Sequence, residues 1–396
     1  MRLPATFTFA ALMAGTGAMA DFNAEPPNAD GQTPAFEGQT RAPAITEDVP
    51  FSTAVLTDKV ESPWGMALLP DGQLLVTEKA GQLRLVAPDG TVSEAIEGTP
   101  EVDSNDQGGL LDVAIGPDFE QTRQIWMSFA EPREGGANGT SVATATLSAD
   151  GTKLENMQVI FRQEPAWKSG LHFGSRLVFD KDGMLFVTTG ERSLPEPRQL
   201  SQDLTTHLGK VLRIDPKTGE AAPGNPTFEG TEGAKPEIWS YGHRNLQAAA
   251  LDPSGQLWTV EHGPAGGDEL NHPEAGKNYG WPLITYGEEY SGGPVGEGLT
   301  AQDGLEQPVY YWDPVIAPSG LTFYQGAMFP ELEGNALIGG LRGQALVRLT
   351  LEDGRVTGEQ RLVQDIGRVR DVEIAPDGAI YLAIEDTGQI VRLYRE

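Results

Sequence analysis

The sequence predicts an all-β fold, namely a six-bladed β-propeller of four-stranded antiparallel sheets. Its 396 residues include 49 glycines and 29 prolines, and runs of strong helix formers are scarce, which favours strands and turns. A unit of sequence also recurs six times, at intervals of roughly 45 to 80 residues. Repeats of this length, each with room for about four strands, are typical of propeller blades.

Each unit is an apolar strand, a turn rich in Asp and Gly, and a second strand with alternating apolar residues. This pattern indicates a hairpin. In chain order the units begin near Met66, Val113, Leu177, Ala249, Leu321 and Val372. We expect the final strand, residues 391–393, to share a blade with the strand near Ser52, which would close the ring. A short helical turn is expected within residues 202–212, and a long loop within residues 275–319.

The N-terminal segment predicts export. Arg2, a short apolar run and the sequence Ala18-Met19-Ala20 indicate a signal peptide over residues 1–20, cleaved after Ala20. Residues 21–50 are rich in Pro, Ala, Glu and Asn without periodicity, which predicts a flexible lead-in that is either disordered or loosely docked. Residues 51–396 form the predicted propeller and catalytic domain. The expected location is periplasmic or secreted, without membrane insertion.

The composition excludes several function classes. The formal net charge is −29, from 28 basic and 57 acidic residues, which argues against binding to nucleic acid or an anionic membrane. Cysteine is absent, so disulfides, thiolate catalysis and cysteine-held metals are excluded. The five histidines share no zinc-ligand spacing. Glycine-rich nucleotide motifs and a Gly-x-Ser-x-Gly elbow are also lacking, which disfavours nicotinamide, ATP and serine-hydrolase chemistry.

The loops that precede the units carry polar residues that a propeller would bring to one mouth of its channel. They are Gln107, His172, Arg244, Asn245, Arg368 and Arg370. Arg342 follows a strand end and would be a fourth arginine there. Clustered arginines in an acidic protein favour an anionic ligand with carboxylates. Alternatively, the arginines pair with acidic side chains inside the channel.

His172 is a candidate general base, because an ordinary imidazole titrates near neutral pH. The alternative is a structural histidine held by hydrogen bonds, which is the interpretation we give to His243. The loop of Gly263 and Pro264 is a candidate cation site, since proline fixes the backbone and can leave carbonyl oxygens turned outward. Alternatively, this loop is only a surface turn.

Taken together, these residues resemble the glucose/sorbosone dehydrogenase family, in its branch of soluble aldose sugar dehydrogenases dependent on pyrroloquinoline quinone (PQQ). The resemblance covers residues 51–396, and no single motif decides it. The segments that carry it are SPWGMALLPDG, QGGLLDVAIGPDF, HFGSRLVFD, TTGER, HLGKVLRIDP, YGHRNLQ, EHGPAGGDELN, KNYGWP, APSGL and RVRDVEIAPDG.

The resemblance implies a quinoprotein that oxidises aldose sugars at C1 to lactones by hydride transfer to PQQ. It implies that His172 is the general base and that Arg244 polarises the quinone carbonyl. The implied cofactor-binding residues are Gln107, Asn245, Arg342, Arg368 and Arg370. The implied calcium ligands are the carbonyls of Gly263 and Pro264 at the cofactor, and Glu269, the Tyr279 carbonyl and Glu289 at a second site.

Two positions depart from the glucose-specific members of that family. Leu171 stands where they have an aspartate before the histidine, and Arg192 where they have a glutamine, which we expect to alter the rim of the site. A broad aldose range is therefore expected. The expected partners are an aldose and an electron acceptor that the sequence does not identify, for a monomer or homodimer. The alternatives are a calcium-dependent lactonase-type hydrolase and a non-enzymatic sugar-binding propeller.

Overall fold

The computed structural model describes residues 22–395. The predicted signal peptide lies outside these residues. Among the described residues, no helix is long and apolar enough to cross a membrane. The structure is almost entirely β, and its strands form six antiparallel sheets, which confirms the predicted propeller.

The sheets follow one another along the chain. The first strand, β1 (Ser52–Thr57), belongs to the sixth blade. Blade 1 contains β2 (Pro63–Leu68), β3 (Leu74–Glu78) and β4 (Gln82–Val86). Blade 2 contains β5 (Leu110–Ile115), β6 (Gln124–Pro132), β7 (Asn138–Leu147) and β8 (Leu154–Arg162). Blade 3 contains β9 (Gly174–Phe179), β10 (Leu185–Thr189), β11 (Lys210–Ile214) and β12 (Ile238–Tyr241).

The second half repeats this arrangement. Blade 4 contains β13 (Leu246–Leu251), β14 (Leu257–Glu261), β15 (Asp268–Asn271) and β16 (Tyr310–Trp312). Blade 5 contains β17 (Pro318–Phe323), β18 (Ala336–Gly340), β19 (Ala345–Glu352) and β20 (Arg355–Val363). Blade 6 contains β21 (Val369–Ile374), β22 (Ile380–Ile384) and β23 (Gln389–Tyr394), followed by β1. The helices are α1 (Phe119–Thr122), α2 (Pro195–Gln199) and 3-10 turns at Phe22–Ala24, Glu134–Gly136 and Pro330–Leu332.

The six edge strands β2, β5, β9, β13, β17 and β21 pack side by side and line the central channel. These are the first strands of the six predicted units. The ring closes where β1 pairs with β23, with Ser52 opposite Tyr394, as the sequence predicts. Because the blades are antiparallel, the start of each inner strand and the end of its neighbour lie at the same end of the channel.

Two details differ from the prediction. Blade 1 has three regular strands, and an irregular segment fills its fourth position. In this segment Val92 forms a β-bridge with Val86 of β4, and the Ser93 N–H donates to the Leu85 carbonyl at 2.8 Å. Residues 202–212 do not contain the predicted helical turn. A short helix, α2, lies earlier and begins at Pro195, since proline fits the first turn of a helix.

The segment before the propeller, predicted as a disordered or loosely docked lead-in, packs against blade 4. Ala29, Gln39 and Ala42 are buried. The Ala42 N–H donates to the Tyr310 hydroxyl at 2.9 Å, and the Tyr311 N–H donates to the Gln39 carbonyl at 2.8 Å. The segment thus covers the outer strand of blade 4.

A buried ion cluster ties three inner strands together across the channel. Arg176 Nη1 on β9 lies 2.8 Å from Asp112 Oδ1 on β5 and 3.1 Å from Asp371 Oδ1 on β21. Gly65 occupies the facing position on β2, where a Cβ would lie 2.8 Å from the Asp112 carboxylate, so glycine leaves room for the cluster. Burial raises the pKa of Asp112 to about 7 despite the attraction of Arg176.

Candidate active site

The predicted loops meet at one end of the channel. A cavity of about 200 Å³ is lined there by residues of several blades, among them Trp64, Gln107, Gln247, His262, Arg368 and Arg370. A second cavity of about 320 Å³ shares His262 and Ala317 with it and is lined by Gly263, Pro264, Tyr290 and Arg342. The structure thus places the candidate cation loop beside the arginine-lined cavity.

His172 is a buried, neutral imidazole. Its backbone N–H donates to Gln107 Oε1 at 2.8 Å, and its Nδ1 lies 3.1 Å from Glu191 Oε1. Because a carboxylate only accepts, the proton sits on Nδ1 and Nε2 keeps its lone pair. Burial, aided by the charge of Arg244, lowers the pKa of His172 to about 4. The side chain is therefore able to accept a proton at neutral pH.

Glu191 completes this pair and was not among the predicted site residues. It is fully buried at the end of β10, and Oε2 accepts the Ser193 N–H. Burial alone would raise the pKa of Glu191, but His172 and Arg244 outweigh it, so the pKa is lowered and the carboxylate stays ionised. The sequence signal was the acid of the TTGER segment at a strand end.

Arg244 contacts the candidate cation loop, and its charge also acts on His172. Its Nη1 donates to the Gly263 carbonyl at 2.7 Å and to the His262 carbonyl at 3.0 Å. Its guanidinium also packs over the rings of Trp281 and Tyr290, at 5.2 and 5.9 Å. The Nε atom is buried and has no hydrogen-bond partner among the described residues.

Arg368 and Arg370 share one carboxylate. Arg370 Nη2 lies 2.8 Å and Arg368 Nε 3.3 Å from Glu385 Oε2, and Arg370 Nη1 donates to Gln247 Oε1 at 2.8 Å. The alternative of channel ion pairs is thus partly realised, but two arginines face one acid and an excess positive charge remains. Arg370 Nε is buried and without a partner in the described part of the chain.

The other two predicted cofactor residues occupy the same region. Asn245 Oδ1 accepts from the Gly174 N–H at 3.2 Å and from Gln247 Nε2 at 3.2 Å, while Nδ2 is buried and unpartnered within residues 22–395. Arg342 is exposed and lines the cation-loop cavity and, on its other side, an outer cleft of about 220 Å³.

The candidate cation loop is fixed by Asp268. Its Oδ1 accepts the Gly263 N–H at 2.9 Å, and Oδ2 accepts the N–H groups of Ile316 and Ala317 at 2.9 and 2.7 Å. The described residues contain no cluster of three or more His, Cys, Asp or Glu side chains suited to a metal. A hard cation at this place would depend on the carbonyls of Gly263 and Pro264.

Only part of the predicted second calcium site comes together. Glu269 and Tyr279 line one small cavity with Glu261, which sequence reasoning missed. Burial and the nearby Glu261 raise the pKa of Glu269 well above its usual range, although Asn271 Nδ2 donates to both carboxylates. Glu289 does not line this cavity, because its carboxylate pairs with Arg198.

The two departures have structural explanations. Leu171 leaves His172 without an adjacent acid, but Glu191 holds the imidazole from the neighbouring strand. Arg192 does not lie on the rim as expected. It is fully buried, stacks 3.7 Å above the Phe173 ring and donates to Asn138 and Ser169. Burial lowers the pKa of Arg192 to about 9.

His243 is structural, as expected. Its Nδ1 lies 2.8 Å from Glu261 Oε1, its Nε2 lies 2.9 Å from the Ser240 hydroxyl, and the ring stacks on Tyr279 with 4.8 Å between centroids. It is completely buried, with both nitrogens used in hydrogen bonds. The imidazole therefore holds blade 3 to blade 4 and has no free nitrogen for chemistry.

Comparisons with known proteins agree with this arrangement. A family model described as Glucose / Sorbosone dehydrogenase matches residues 60–392. The chain is 42% identical over 344 residues to the aldose sugar dehydrogenase YliI of Escherichia coli (strain K12), covering 86% of this chain and 91% of that protein. It is 26% identical over 415 residues to quinoprotein glucose dehydrogenase B of Acinetobacter calcoaceticus, covering 85% and 86% of the two chains.

Two solved structures are similar over nearly their whole lengths. The soluble aldose sugar dehydrogenase of Escherichia coli, in its apo-form, has a TM-score of 0.83 at 40% identity, covering 88% of this chain and 100% of that one. The PQQ-bound form of the aldose sugar dehydrogenase of Streptomyces coelicolor has a TM-score of 0.72 at 30% identity, covering 88% and 99%.

Proposed function

The chain belongs to the glucose/sorbosone dehydrogenase family, and from this premise we propose that it is a PQQ-dependent aldose sugar dehydrogenase. In this proposal it oxidises an aldose at C1 to the lactone, with His172 as general base. The observation that carries the proposal is the neutral His172, held by Glu191, beside a cavity lined by arginines. Relatives named aldose sugar dehydrogenases, one of them in a PQQ-bound form, support it.

The residues present fit a quinone with three carboxylates. Arg244 and Arg370 each keep a buried Nε without a partner in the described chain, and so does Asn245 at Nδ2. Buried donors without acceptors are costly unless a ligand supplies the acceptors. Gln107, Asn245, Arg342, Arg368 and Arg370 would hold the cofactor. When PQQ is bound, its chemistry is acceptance of the hydride that leaves C1 of the sugar.

A calcium ion also fits the loop held by Asp268. In the proposal the carbonyls of Gly263 and Pro264 would hold it and Arg244, which now donates to the Gly263 carbonyl, would turn toward the ligand. A second ion between Glu261, Glu269 and the Tyr279 carbonyl would offset the repulsion of the two acids. Glu289 is left out, because Arg198 already neutralises it.

The chain's own residues account for the proton. His172 would take the proton of the C1 hydroxyl at Nε2, while the C1–H bond breaks and its electron pair leaves as hydride. The remaining O–H electron pair forms the carbonyl of the lactone, so atoms and electrons balance. Glu191 would stabilise the resulting imidazolium, and Arg244 would supply positive charge where negative charge develops.

The same site disfavours the alternative of a calcium-dependent hydrolase. That chemistry calls for a metal held by carboxylates at the channel mouth, whereas Arg368 and Arg370 line the cavity there. The proposal includes export to the periplasm and cleavage after Ala20, in line with the N-terminal sequence.

Reconstitution tests the proposal directly. The purified protein with Ca²⁺ and PQQ should reduce an artificial dye in the presence of xylose or glucose, and the absorption spectrum of the bound quinone should change when sugar is added. His172→Ala should lower kcat by about 10²-fold to 10⁴-fold and still bind PQQ. Lactone hydrolysis without quinone, or no dye reduction with any aldose, would contradict the proposal.

A further inference from the structure

The N-terminal strap, residues 22–45, lies outside the segment 60–392 that the family model matches. It is nevertheless built into the fold. Ala29, Gln39 and Ala42 are buried, and Ala44 pairs with Glu359 of β20. The strap therefore joins the outer strands of blades 4 and 5 and is available to add residues to the site that the family domain does not provide.

Asp313, in the loop after β16, anchors the strap. Its carboxylate accepts the backbone N–H of Asn28 and, at 3.2 Å, that of Ala29. In return, Asn28 Oδ1 accepts the Val315 N–H at 2.8 Å. Arg41 adds a bond from Nη2 to the Asp313 carbonyl at 2.7 Å. These bonds join residues 272 to 287 positions apart in the chain and fix the position of Asn28.

Asn28 thereby lines the cavity that also contains Gly263, Pro264 and Arg342. Its Oδ1 is engaged by Val315, whereas its Nδ2 has no hydrogen-bond partner among residues 22–395. The strap is close to the cation loop, since a Cβ on Gly266 would lie 3.0 Å from the Ala29 methyl. An amide donor beside an arginine is suited to a carboxylate oxygen.

We propose that the strap completes the cofactor site, with Asn28 donating from Nδ2 to a carboxylate of the bound quinone. The inference rests on the proposed function, because it takes PQQ as the ligand of this cavity. It adds a cofactor contact from a segment that precedes the family domain. Asn28 is the residue of the strap that lines the cavity, and its exposed side chain is accessible to a ligand there.

Asn28→Asp tests the contact in the full-length protein. Aspartate keeps an oxygen for the Val315 N–H but replaces the donor with a carboxylate that repels the ligand. Absorbance titration with PQQ in excess Ca²⁺ should give a Kd at least about tenfold higher than that of the unaltered protein. KM for the aldose at saturating PQQ should not change. Hydrogen exchange at the Asn28 and Ala29 amides should slow when PQQ is added.

Glu47→Gln is the matched control, because Glu47 contacts Arg348 at 3.0 Å beyond the other end of the strap. It should bind PQQ like the unaltered protein. A loss of affinity in Asn28→Ala but not in Asn28→Asp would overturn the inference, since Asn28 would then only hold the Val315 loop. An unaltered protein that binds no PQQ would overturn the proposed function itself, which separates the two failures.

Discussion

His172 Nδ1 lies 3.1 Å from Glu191 Oε1, and both side chains are buried beside Arg244. The carboxylate fixes the tautomer, so the nitrogen with the free lone pair is Nε2. The two residues are 19 positions apart and come from opposite sides of the β9–β10 hairpin. Much of the expected behaviour of the protein follows from this pair.

The pH dependence of turnover should reflect the lowered pKa of His172. Because burial holds this pKa at about 4, the imidazole is neutral and able to act as a base at all pH values above that. The acid limb of kcat/KM for the PQQ-loaded protein should therefore fall near pH 4. An acid limb close to the ordinary histidine value would contradict the assignment.

Glu191→Gln should lower kcat without preventing PQQ binding. Glutamine still accepts from the imidazole Nδ1, but it no longer stabilises the imidazolium, so we expect a loss of about tenfold. Glu191→Ala should lose more, since the ring orientation is also released. Steady-state kinetics with a PQQ titration distinguishes this result from a folding defect, in which both measurements would change together.

Arg370→Lys should weaken PQQ binding. Arg370 uses both Nη atoms, on Gln247 and Glu385, and its Nε has no partner within residues 22–395. Lysine cannot reproduce this planar fork. A Kd about tenfold higher is expected from absorbance titration. Arg392→Lys, which alters a surface pair with Asp377, is the control and should leave the Kd unchanged.

The proposed second calcium site predicts different effects of Ca²⁺ on variants of Glu269 and Glu289. Glu269→Gln should reduce the rise in melting temperature that Ca²⁺ produces, because this side chain lines the cavity shared with Glu261. Glu289→Gln should leave that rise intact and cost at most about 1 kcal/mol of stability, since it loses only a partly exposed pair with Arg198. Equal effects of Ca²⁺ on both variants would exclude this location.

Arg176→Met should destabilise the propeller strongly. It leaves Asp112 and Asp371 buried together without their counter-charge, which we expect to cost about 3–5 kcal/mol in chemical denaturation. Lys153→Met, which removes an exposed pair with Glu155, should change the free energy of unfolding by less than about 1 kcal/mol. A mild effect of Arg176→Met would mean that the cluster is open to water.

The fold and the convergence of loops were predictable, because both depend on a local signal. Each repeated unit begins with an inner strand, so the loops before the units were predicted to lie at one mouth of the channel. The same reasoning predicted that strands near the two ends of the chain share a blade, and the structure adds the register, in which Ser52 lies opposite Tyr394. The fourth strand of blade 1 was not predictable in its irregular form, because it depends on the turn at Gly90.

The sequence could not predict contacts between distant side chains. Glu289, which the resemblance implies as a metal ligand, pairs with Arg198, 91 positions away. Arg192 was expected at the rim, but stacking on Phe173 holds it in the interior. Asn28 could not have been chosen, because its position depends on Asp313. Such partners are set by tertiary packing and leave no mark in the local sequence pattern.

The pairing of β1 with β23 has a consequence for biosynthesis. Arg368 and Arg370 stand at the start of β21, in the sheet that β1 completes by pairing with β23, so this part of the proposed cofactor site depends on both β1 and β23. A nascent polypeptide in which β23 has not yet been made therefore lacks a finished sheet at the proposed site. We expect premature termination products to leave the quinone free, which makes cofactor loading a step that follows translation.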